Sequence, residues 1–170
     1  MAKHTVATLR KPATAVGPPY RFDGEANLHH AFKQLKLVAE ALAATKYHHD
    51  ALTNIYLSIE CFLKYLYCLV REQEVPASFY VTSMTKSVGE QLGAKDRFGH
   101  DLRAMTLVLS AHTDLSNFRE YLNLERSLPA GTAWVAERYA VRNHPGRKFQ
   151  YDKVAGFFID FLNGAVRHLV

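Results

Sequence analysis

The sequence predicts an all-α protein, an up-and-down bundle of four long helices with one or two short ones. Three observations carry this. Apolar residues recur at intervals of three and four along most of the chain, the spacing of one helical face. No stretch alternates apolar and polar residues as a half-buried strand does. Breaks rich in Gly, Pro, Ser and Thr separate the periodic segments. With 170 residues, 48% hydrophobic and 22% charged, the chain has the make-up of one globular domain rather than a disordered one.

The chain opens on a basic leader, residues 1–22, which holds Lys3, Arg10, Lys11 and Arg21 and no acid, so nearly all of the net charge of +5 lies there. Pro12, Gly17, Pro18 and Pro19 prevent a helix of useful length. The leader reads as an extended or mobile arm ahead of a helical domain over residues 23–170. Such an arm either solubilises the chain or touches nucleic-acid phosphate. The first helix is ANLHHAFKQLKLVAEALAAT, with Leu28, Ala31, Phe32, Leu35, Ala39 and Leu42 on one face and Asn27, or else Asp23, as N-cap. The second, HHDALTNIYLSIECFLKYLYCLVRE, is apolar around most of its circumference, as a central helix must be; Asp50 is its expected cap. Glu60 and Lys64 sit i, i+4 in the favourable order.

From Gln73 to Gly99 periodicity fails, apart from a short helix expected at 87–92. It resumes after Asp101, a cap for a helix that turns Leu102, Met105, Val108 and Leu109 inward. Another helix is expected over 115–127, using Leu115, Phe118, Leu122 and Tyr121. Thr132 can cap a short helix that Pro145 terminates. The last helix is expected to start at a cap on Asp152 and to bury Val154, Phe157, Phe158, Phe161, Leu162, Ala165, Val166 and Leu169.

Several chemistries are excluded by spacing. Cys61 and Cys68 share a helical face about 10 Å apart, too far to bridge, and read as buried, reduced thiols. His29-His30 and His48-His49 are neighbours that point about 100° apart on a helix, so neither pair chelates one ion; surface or cap histidines are expected, with no metal and no cofactor. There is no phosphate-binding glycine loop and no GxSxG nucleophile turn. No apolar run is long enough for a membrane span, and no apolar run follows Lys3 and His4 as a secretory signal requires, so a cytoplasmic protein without membrane association is expected.

One region concentrates charge. Residues 138–148, RYAVRNHPGRK, contain Arg138, Arg142, Arg147 and Lys148, with His144 and no acid. Arginines beside an imidazole bind phosphate and offer a group that titrates near neutral pH. Tyr139 and Tyr151 flank the segment as candidate rings for stacking a base. The bland alternative is a solvated basic junction between helices.

Three groups of residues resemble the HEPN domain family. IYLSIECFLKYLYCLV, with Glu60, Leu63 and Lys64, is similar to the family's second helix; GHDLRAM, with Gly99, His100, Asp101 and Leu102, to the opening of its next long helix; AERYAV, with Arg138 and Tyr139, to the element before its last helix. The resemblance covers residues 27–170, and GHDL is its most specific piece. It implies a four- or five-helix bundle, a homodimer, and a role in a toxin–antitoxin or phage-defence system, in some members beside a nucleotidyltransferase or another antitoxin-like protein. The expected function is binding of RNA, a nucleotide or a partner protein through a basic cleft, with Arg142, Arg147, Lys148 and Tyr139 as contacts. Glu60, Lys64, Gly99, His100, Asp101 and Leu102 are its structural signature. The alternative it implies is a metal-independent endoribonuclease using Arg138 and His144, with His144 as acid or base and Arg138 on the phosphorane. Two positions depart from the nuclease pattern: Tyr139 follows the arginine, where a polar residue is usual, and Pro145 follows the histidine. A second alternative is a purely structural dimerisation module.

Overall fold

Two antiparallel helices form the spine on which everything else is hung. The computed structural model describes residues 3–10, 24–70, 100–131, 133–136 and 146–170. The helices there are α1 (Gly24–Ala44), α2 (His48–Val70), α3 (Leu102–His112), α4 (Arg119–Ser127), α5 (Ala133–Ala136) and α6 (Gly146–Asn163). Short 3-10 turns lie at Val6–Thr8, Leu115–Asn117 and Arg167–Leu169. Among the described residues there is no strand, only an isolated bridge between His4 and Thr113. The all-α class is therefore observed. The helix expected at 87–92 and the cap at Thr132 lie outside the described residues.

α1 begins three residues before Asn27, so Asn27 is an interior residue and not the cap; Asp23 lies outside the described residues. Leu28, Phe32 and Ala39 are buried, and Leu35 and Leu42 half-buried. The helix closes on a Schellman-type turn: the Tyr47 N–H donates to the Leu42 carbonyl at 2.9 Å, the Lys46 N–H to Ala43 at 3.1 Å, and Lys46 takes a φ of 69°. Three residues then suffice to bring α2 back along α1. The Ser58 hydroxyl donates to the Phe32 carbonyl at 2.6 Å between them.

α2 starts at His48, which places Asp50 in the first turn rather than at the cap; its charge there still favours the positive end of the helix. As expected, α2 is buried on several sides. Phe62 is the hub, with the rings of Phe32, Tyr65, Phe158 and Phe161 centred 4.7–5.9 Å away. Edge contacts of this kind add to the area each ring removes from water.

Asp101 caps α3 as its sequence predicts, Oδ1 accepting from the Ala104 N–H at 3.0 Å, and Leu102, Met105, Val108 and Leu109 are buried. The stretch 115–127 is not one helix. Phe118 is extended (φ −99°, ψ 123°) and separates the 3-10 turn from α4. In a continuous helix Leu115 and Tyr121 would point about 120° apart; the break lets both be fully buried, and leaves Phe118 and Leu122 only partly so. The Tyr121 hydroxyl donates to the Thr106 carbonyl at 2.5 Å, tying α4 to α3.

α6 begins at Gly146, six residues ahead of the cap expected at Asp152. Tyr151 extends the apolar stripe backward, so the helix buries Tyr151, Val154, Phe158, Phe161 and Leu162, with Phe157 at the margin. Beyond Asn163 the chain leaves the helix, yet Ala165, Val166 and Leu169 stay buried.

The leader corrects the sequence reading most. Val6 and Leu9 are core residues, 2% and 6% exposed. The His4 N–H donates to the His112 carbonyl at 2.8 Å, the Asp114 N–H to the His4 carbonyl at 3.1 Å, and the Val6 N–H to Asp114 Oδ1 at 2.7 Å. Residues 3–10 are thus docked where α3 ends, not extended into solvent.

Candidate functional site

Glu60 and Lys64, one turn apart on α2, are each only 5% exposed. Glu60 Oε1 meets Lys64 Nζ at 2.5 Å, and Oε2 lies 3.0 Å from His100 Nδ1. A pair this deep needs close geometry to offset its desolvation, and here both carboxylate oxygens are engaged. Cys61, beside it, has its thiol pushed up to about 11, chiefly by burial and then by Glu60, with Lys64 pulling the other way.

His100 stands at the entrance to α3 with a half-exposed side chain. The Trp134 indole N–H donates to its carbonyl at 2.8 Å and the indole lies edge-on to its ring. Asp101 Oδ2 accepts from the Gly131 N–H at 3.1 Å while Oδ1 caps α3, and Leu102 is fully buried. So Glu60, Lys64, His100, Asp101 and Leu102 are joined into one unit that locks α2, α3 and the approach to α5 together; Gly99 lies outside the described residues. Chemically, a carboxylate that fixes Nδ1 leaves Nε2 as the outward nitrogen of an oriented imidazole.

Of the basic segment, Arg138, Tyr139, Arg142 and His144 lie outside the described residues. Its two flanks are described, and both meet Tyr56 of α2. The Trp134 ring is centred 5.4 Å from the Tyr56 ring, and Gln150 Nε2 donates to the Tyr56 hydroxyl at 2.9 Å. Arg147 Nη1 donates to Gln150 Oε1 at 3.2 Å, in the same chain of contacts.

Two sequence expectations change here. Lys148 has a counter-charge after all, Asp152 at 2.6 Å, an exposed i, i+4 pair that does little for stability and still leaves the ammonium at the surface. Tyr151 is buried and not presented to a base; burial, then Glu40 and Asp152, raise its phenol above the usual range. The ring that is presented is Phe149, 75% exposed, directly after Arg147 and Lys148. Running the apolar stripe back from Val154 through Tyr151 would have found it, because position 149 falls off that stripe.

Not all the histidines are surface or cap residues. The His29 ring packs against Phe32 and Tyr65 with Nε2 3.0 Å from the Leu169 carbonyl, and His49 is buried. Cys61 and Cys68 form no disulfide and are half-buried rather than fully so. Among the described residues no three His, Cys, Asp or Glu side chains are grouped to hold a metal, and no helix is long and apolar enough to cross a membrane.

No family model, curated protein or solved structure matches the chain.

Proposed function

We propose that this is an RNA-binding helical module of the HEPN type, an up-and-down bundle of long helices acting as a two-fold dimer in the cytoplasm. Its place is a toxin–antitoxin or phage-defence system, beside a nucleotidyltransferase-like or other antitoxin-like partner. The RNA is bound in single-stranded form along residues 138–149. The observation that carries this reading is Phe149: a phenylalanine three-quarters exposed, next to Arg147 and Lys148, in a stretch without acids from 138 to 148. Unpaired bases stack on exposed rings while neighbouring cations take the phosphates, and stacking contributes about 1–3 kcal/mol per base.

The test is fluorescence anisotropy of a labelled single-stranded RNA with the full chain. Affinity is expected to fall as salt rises, because phosphate contacts release counterions. Phe149→Ala should weaken binding about fivefold or more, and Arg142→Gln/Arg147→Gln/Lys148→Gln should weaken it across sequences. Absence of binding at low salt, or binding indifferent to both variants, would refute the reading.

A second reading, which the spacing of Arg138 and His144 in the sequence favours, is metal-independent cleavage of RNA by that pair. Incubation with RNA in EDTA decides it: cleavage abolished by His144→Ala, with binding retained, is the expected signature.

A further inference from the structure

The outer face of α1 is unlike an ordinary surface helix. Every exposed position from His30 to Ala44 lacks Asp, Glu, Lys and Arg: His30, Gln34, Leu37, Val38, Ala41 and Ala44. Leu37 is 57% and Val38 45% exposed. The helix's charges, Lys33, Lys36 and Glu40, lie to one side at half-buried positions, with Lys36 paired to Glu40 at 2.7 Å. A helix with water on its outer side normally carries its charges there. Here the charges border an uncharged face about four turns long.

We propose that this face is where a second copy of the chain docks, α1 against α1, antiparallel about a two-fold axis passing between Leu37 and Val38. This rests on the dimeric part of the reading above and adds the surface. A two-fold interface must match itself, each position meeting its symmetry counterpart. An axis at that point sets Leu37 opposite Val38, Gln34 opposite Ala41, and His30 opposite Thr45 just beyond the helix. All of these are exposed; only Ala44, at the end of the face, falls opposite a half-buried position, Ala31. The border is complementary as well. Glu40 faces the level of residue 35 on the copy, where Lys33 and Lys36 stand on the same flank of the helix. Glu40 thus comes within two residues of the level of Lys33 on the copy, so carboxylate and ammonium share the rim. Ala41 keeps the centre of the face low, so the helices can approach closely, and apolar area at Leu37 and Val38 leaves water. An unrelated partner would have to supply the matching charges; a second copy already has them.

The test uses light scattering on the full chain. The native protein is expected at the mass of two chains at micromolar concentration. Leu37→Glu/Val38→Glu and Leu37→Lys/Val38→Lys are each expected at the mass of one chain, with helical circular dichroism unchanged because both positions are exposed. Mixed in equal amounts, the two variants should return to the mass of two, since opposite charges then face across the axis. A native protein at one-chain mass overturns the proposal together with the dimeric reading, and leaves the RNA reading untouched. Variants that remain dimeric, or a mixture that stays monomeric, overturn the α1 face while leaving a dimer through another surface.

Discussion

Cys61 sits beside a buried carboxylate and within the field of a buried ammonium, and its thiol responds to burial first, to Glu60 next and to Lys64 least, ending at about 11. A cysteine in an unfolded chain titrates near ~8.5. Alkylation of the folded protein by iodoacetamide, measured on a Cys68→Ser variant, should therefore be slow at pH 8 and keep rising toward pH 11. In urea the profile should level off near the ordinary value. Because the folded state holds the proton more tightly, stability is expected to decline as pH rises from ~8.5 to about 11, where only the unfolded chain gives its proton up. A folded-state inflection near 8.5 would contradict the burial argument. The spacing of the two cysteines was enough to exclude a bridge, but not to grade their exposure, which depends on what packs on that side of α2.

Between elements, the Glu60–Lys64–His100 unit separates two energetic effects. Glu60→Gln leaves the Lys64 ammonium buried without its partner, and a loss of about 3–5 kcal/mol is expected in urea unfolding. Glu60→Leu/Lys64→Met removes both charges and should fall within about 1–2 kcal/mol of the native protein, because an apolar pair of similar volume needs no desolvation. A double variant as unstable as the single one would place the loss in the Glu60–His100 contact and not in an unpaired Lys64. Much of this unit was legible beforehand. The i, i+4 order of Glu60 and Lys64 and the cap at Asp101 are local facts, and local facts survive into the fold. Helix starts were less legible: Asn27, Asp50 and Asp152 are all good cap residues, yet each lies inside its helix, and only at Asp152 does a buried apolar residue ahead of it, Tyr151, extend the stripe backward. The break at Phe118 was invisible for a similar reason. It is set by two residues, Leu115 and Tyr121, that must face the same core, and sequence spacing shows the conflict only once the core is known.

Across the whole molecule, the ends of the chain are fastened to each other and to the middle. His168 Nε2 lies 3.1 Å from the Val6 carbonyl, Asp114 holds the Val6 N–H at 2.7 Å, and His29 on α1 reaches the Leu169 carbonyl at 3.0 Å. Val6, Leu9, Leu115, Val166 and Leu169 belong to one continuous core. Composition hid this, since four bases and three prolines in the first 22 residues read as a solvated arm, while the two apolar residues that anchor it are too few to make a periodic pattern. The consequence bears on any test of RNA binding. Deleting the leader to remove its positive charge also withdraws Val6 and Leu9 from the core and frees the Asp114 and His168 contacts. Deletion of residues 1–10 is therefore expected to lower the thermal midpoint by several degrees, and Leu9→Ala alone to cost about 2–5 kcal/mol, as for other buried leucines. Replacing Lys3, Arg10, Lys11 and Arg21 with Gln removes the four charges while keeping Val6 and Leu9, and should leave the midpoint within about 1–2 °C. Differential scanning fluorimetry on the three variants checks it: an unchanged midpoint after deletion would mean the first ten residues stand free of the bundle, whereas the expected loss makes the charge-neutral variant the one that separates leader charge from the charge of residues 138–148.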